Sequence, residues 1–125
     1  MKKNWFYLLL LVVVTGCGSP IKNMVGYNNV NSVQLAAKCQ TPEALEEVRK
    51  GESHQSTSNL GICYLLQVVY LNELNQSEQA KALYPKIIEN ASWIKSDAEV
   101  ERDVKKMTRD LGKKRKRLGN NPDCS

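Results

Sequence analysis

The chain has one histidine, His54, and no Cys-x-x-Cys pair among its four cysteines. Zinc sites and dithiol redox centres draw on those residue types at close spacing, so no metal and no cofactor are expected. Glycine-rich phosphate loops, calcium loops and the Gly-x-Ser-x-Gly elbow of serine hydrolases are missing as well. His54 lies in the polar stretch Gly51 to Ser58 with Ser53 and Ser56 beside it. A loop His next to a loop Ser makes no catalytic site without convergent groups to orient them. An enzyme with a small-molecule substrate is therefore not expected. No apolar run reaches the roughly twenty residues that cross a bilayer as a helix. The two longest are Trp5 to Val14 and Leu60 to Leu71, and Gln67 interrupts the second. Alternation of period two, the mark of half-buried strands, is also lacking.

What is present begins at the N-terminus. Met1-Lys2-Lys3 precedes the apolar segment, and Thr15-Gly16-Cys17 closes it, the charge, length and small-residue order of a secretory signal peptide. Val14-Thr15-Gly16-Cys17 resembles the lipobox of bacterial lipoproteins. That resemblance implies cleavage after Gly16, a diacylglyceryl thioether on the Cys17 thiol and acylation of the new amine. A thiol suits the reaction because its thiolate is a strong nucleophile near neutral pH. Two or more acyl chains give stable membrane attachment where one is marginal. With Gly18 rather than Asp after the cysteine, the resemblance implies the outer membrane, facing the periplasm. A Gram-positive source would place the protein on the outer face of its single membrane.

The expected organisation is a signal peptide over residues 1–16, the lipidated Cys17 and a flexible tether over 17–31, a helical domain over 32–119 and a polar tail over 120–125. Gly, Asn and Ser with one Pro give the tether its linker composition. With Cys17 acylated, Cys39, Cys63 and Cys124 remain for one disulfide and one free thiol. Cys63 sits in an apolar segment, and nothing else would hold the tail, so Cys39–Cys124 is favoured, with Cys39–Cys63 as the alternative. The formal net charge is +5, of which Lys2 and Lys3 contribute two. Lys113, Lys114, Arg115, Lys116 and Arg117 form a consecutive basic run. Export excludes nucleic acid as its partner, leaving an acidic protein, an anionic lipid surface, or a solvated helix end that complements the macrodipole.

Apolar residues at helical spacing predict an all-α fold, a small bundle of four to five helices after a cleaved signal peptide. Helices are expected from Val33 to Cys39, and from Thr41 as cap through Pro42 to Lys50. The nearly all-apolar stretch from Leu60 to Leu71 belongs at the bundle centre. Ser77 to Ala91 should be helical with a break near Pro85. A last helix follows the capping box Ser96 to Glu99. On it Val100, Val104, Met107, Leu111 and Leu118 form a heptad-like seam, with Lys114 at the missing position. Leu60-Gly61-x-x-Tyr64 and Ala80-x-x-x-Tyr84 resemble the two halves of a tetratricopeptide helix hairpin, though their separation and Pro85 depart from that pattern. In that resemblance Tyr64 and Tyr84 fill the groove between the two helices; the contact surface expected for a protein partner is the groove beside Tyr64, Tyr70 and Tyr84. The function expected is a membrane-tethered interaction module, an accessory or assembly factor of an envelope machine in the manner of pilotins. An immunity or inhibitor lipoprotein acting on a toxin or lytic enzyme is the second reading, and a passive envelope-structure protein binding lipid or cell wall the third.

Overall fold

A computed structural model describes residues 26–125. The signal peptide, Cys17 and the first part of the tether lie outside these described residues. The described chain is all-helical: α1 Tyr27–Ala37, α2 Thr41–Lys50, α3 Thr57–Glu73, α4 Ser77–Ala82, α5 Tyr84–Asn90 and α6 Asp97–Arg117. α4 and α5 are two halves of one segment parted at Leu83. Pro85 has no N–H to donate and so starts the second half instead of continuing the first.

α3 is the axis of the bundle and touches each of the other five helices. Every residue from Cys63 to Leu71 is buried, as expected of a helix apolar on all sides. Gly61 brings it close to the end of α5: a Cβ there would stand 3.0 Å from the Cβ of Ala91. α2 turns Thr41, Ala44, Leu45 and Val48 inward. Its cap residue is Gln40, so Thr41 is the first helical residue rather than the cap. At the start of α6, Ser96 Oγ accepts from the Glu99 N–H at 3.3 Å, and Glu99 Oε1 accepts from the Lys95 N–H at 2.9 Å. The two ends of the capping box thus satisfy donors that the first turn leaves free.

α1 begins at Tyr27, inside the expected tether. Asparagine is a poor helix former, yet Asn29 is buried and donates to Gln55 Oε1 at 2.9 Å and to the Asn59 carbonyl at 3.1 Å. Tertiary hydrogen bonds outweigh propensity here. At the other end the polar tail is fastened. Cys39 and Cys124 form a disulfide with Cα atoms 5.6 Å apart, and Asn120 Nδ2 donates to the Ala37 carbonyl at 3.2 Å. Among the described residues Cys63 is the free thiol, fully buried and donating to the Val48 carbonyl at 3.3 Å.

Burial pushes the Cys63 thiol up to about 11, against a smaller opposing pull from the Gln67 hydrogen bond. The thiolate is the reactive form, so native protein at pH 8 should take up iodoacetamide at Cys63 only at the rate of unfolding. Mass spectrometry of the alkylated chain checks this. A raised thiol pKa also means that the unfolded chain loses its proton first, so stability falls between about pH 9 and about pH 11.

Candidate functional site

The three tyrosines expected to line one groove do not share a face. Tyr64 and Tyr70 are six residues apart on α3, which at 3.6 residues per turn points them about 120° apart. Tyr70 is 0% exposed and shares a 2.8 Å hydrogen bond with Ser32 on α1. Burial raises its phenol well above the ordinary value, with the Ser32 bond opposing. It is a core residue that also lies in the floor of a groove between α1, α3 and α6. Tyr64 is buried on another side, with Lys86 Nζ 5.6 Å from its ring centroid. Tyr84 is half-buried at the α4–α5 break and packs on the core. Desolvation raises both phenols, Tyr64 and Tyr84.

The basic run divides. Lys113, Lys114, Lys116 and Arg117 are exposed, but Arg115 is 1% exposed and is the largest fully buried side chain of the core. Its guanidinium forms a fork on the Glu73 carboxylate, with Nη2 to Oε1 at 2.9 Å and Nη1 to Oε2. Nε donates to the Ala36 carbonyl and Nη1 to the Pro122 carbonyl, each at 2.9 Å. One side chain therefore joins α6, α3, the end of α1 and the tail. Such planar, bidentate recognition is specific to arginine. Arg115 leaves the candidate patch and enters the fold.

This apolar groove opens between α1, α3 and α6, and of the three expected tyrosines it takes in Tyr70 alone. Its volume is about 490 Å³. Val30, Val33, Ile62, Leu66, Met107 and Leu111 line it, with Lys114, Arg117 and Asp110 at the rim. Val33, Ile62 and Met107 stay half-exposed although they pack on the core. Sequence periodicity assigned Met107 and Leu111 to the inside but gave no sign that α1 stops short of closing over them.

The candidate catalytic and metal-ligating side chains are dispersed among the described residues. His54, Ser53 and Ser56 are exposed in the turn after α2, and no hydrogen bond joins them. No three His, Cys, Asp or Glu side chains gather to hold a metal ion. Among the described residues, every buried side-chain nitrogen and oxygen has a hydrogen-bond partner. No described helix is long and apolar enough to cross a membrane. Compared with known protein families, curated proteins and solved structures, the chain returns no match.

Proposed function

We propose that the protein is a lipid-anchored docking module of the bacterial envelope. In this reading Cys17 fixes it to the outer membrane on the periplasmic side, and the helical domain holds a component of an envelope machine. The observation that carries the docking is the groove between α1, α3 and α6. Its floor is apolar, and two cations, Lys114 and Arg117, face the single carboxylate of Asp110 at the rim. An amphipathic helix fits such a groove, with apolar anchors at i, i+3/i+4 and i+7 below and carboxylates beside the two cations.

The test uses the full acylated chain with a photo-crosslinking residue in place of Val33, on the wall of the groove, and a tag after Ser125. It should join one helical segment of an envelope-machine component, at a face bearing acidic residues. Met107→Glu places a like charge against those carboxylates and should reduce capture at least tenfold, about 1.4 kcal/mol. Cys17→Ser should leave the partner mislocalised. A secreted toxin or lytic enzyme caught equally by acylated and Cys17→Ser forms would replace this reading with the inhibitor. Capture unaffected by Met107→Glu would remove the groove from it.

A further inference from the structure

α6 displays more positive charge than the run at its end. With Val100 and Leu111 on the buried side, helical periodicity places Lys105, Lys106, Arg109, Lys113, Lys116 and Arg117 on the opposite side. All six are exposed. The stripe covers about 18 Å at 1.5 Å per residue. Asp110 is the only acid in that stretch, and it borders the apolar groove. Ion pairs do not quench the stripe: the described pairs join Arg102 to Glu99 and Asp103, and Arg115 to Glu73.

We infer that this face of α6 lies flat against anionic phospholipid headgroups, with the six cations over the phosphates. The row is straight and carries no apolar anchor, since the large exposed apolar residues are Tyr27, Trp93 and Leu118. A protein partner would be held by a buried aromatic or aliphatic hot spot, and a single-stranded nucleic acid by stacking platforms. A plane of phosphates needs neither. Reach permits the contact. Arg115 and Asn120 fasten the basic end of α6 to Ala36 and Ala37 at the C-terminal end of α1, whereas the chain leading back to Cys17 enters at the other end of that eleven-residue helix, about 16 Å away at 1.5 Å per residue. From Cys17 to Gly26 that chain can span at most about 32 Å. This inference rests on the lipid anchor proposed above, which keeps the stripe at high effective concentration near the surface, so that a weak contact suffices. With the stripe facing the lipid, the apolar groove residues of α6, Met107 and Leu111, lie about 140° to 180° round the helix from its centre. The groove then opens away from the membrane, with Arg117 at its border.

The acylated full chain is bound to vesicles of phosphatidylcholine, with or without about one third phosphatidylglycerol, and pulsed with an amine-acetylating reagent. On the anionic vesicles Lys105, Lys106, Lys113 and Lys116 should react at least about fivefold more slowly, the factor one cation contributes near such a surface. Lys38, Lys50, Lys81 and Lys86, on other helices or turns, should be unchanged, and about 0.5 M salt should abolish the difference. Equal acetylation on both vesicle types overturns the inference, as does protection by an acidic protein or a nucleic acid but not by vesicles. Flotation with the neutral vesicles tests the anchor separately: protein that floats with unprotected lysines keeps the anchor and loses the stripe. Protein that floats only with anionic vesicles, its lysines protected, keeps the stripe and loses the anchor.

Discussion

Arg115→Met should destabilise the domain by about 3 kcal/mol, whereas Lys116→Met, one residue on, should change stability by less than about 0.5 kcal/mol. Sequence treats the two as members of one run; the structure separates them completely. Removing the guanidinium leaves Glu73 without its counter-ion and deprives the Ala36 and Pro122 carbonyls of donors. Breaking a buried pair by deleting one partner costs about 3–5 kcal/mol. The Glu73 side chain keeps 20% exposure, so water relieves part of the stranded charge, and the lower end applies. Arg115→Lys should recover only part of the loss, because an ammonium cannot serve a carboxylate fork and two carbonyls at once. Glu73→Met combined with Arg115→Met should be closer to wild type than Arg115→Met alone, since paired apolar replacement removes the desolvation penalty as well as the attraction. Urea midpoints of the four variants measure all of this. If Arg115→Met proves as mild as Lys116→Met, the buried fork is not a structural element in solution.

Why sequence misplaced Arg115 has a definite physical cause. The expected seam on α6 kept a strict seven-residue repeat through Lys114 and Leu118. A straight α-helix drifts by about 20° per heptad from that repeat. Two heptads beyond Val100 the buried position has moved from Lys114 to Arg115, four residues after Leu111. Leu118 lies beyond the last helical residue and is 56% exposed. Apolar residues that alone decide their surroundings were legible: the central α3, the broken α4–α5 segment and the inward face of α2 all stand where periodicity put them. Polar residues whose fate depends on a distant partner were not. Asn29 needs Gln55 and Asn59, Tyr70 needs Ser32, and Arg115 needs Glu73; those partners lie between 26 and 42 positions away along the chain. The groove was illegible for the same reason, because it is a gap between three helices and not a property of any one.

The disulfide was legible, and its removal is the second large effect expected. It joins residues 85 positions apart, and closing a loop of that size restricts the unfolded chain by about 4 kcal/mol at 25 °C. That is a large part of the roughly 5–15 kcal/mol that holds a domain folded. The native contacts add to it. The tail that the disulfide fastens supplies the Pro122 carbonyl to Arg115, and it packs on α6 so closely that a Cβ on Gly112 would stand 3.2 Å from the Cβ of Pro122. Against this, both half-cystines adopt left-handed backbone, with φ of 62° at Cys39 and 66° at Cys124, each costing about 1–2 kcal/mol for a non-glycine residue. The balance gives an ordered set of outcomes. Cys39→Ala with Cys124→Ala should lose about 4 kcal/mol. Cys39→Gly with Cys124→Ala should lose about 1 kcal/mol less, because glycine accepts positive φ freely. Reduction of the unaltered chain with a dithiol should match the first of these, and truncation after Gly119 should exceed it by the worth of the lost tail contacts. Denaturation midpoints with and without reductant order the four. If reduction shifts the midpoint by less than the equivalent of about 1 kcal/mol, the tail is held by Asn120 and Arg115 alone, and the disulfide is an ornament of the fold and not its clasp.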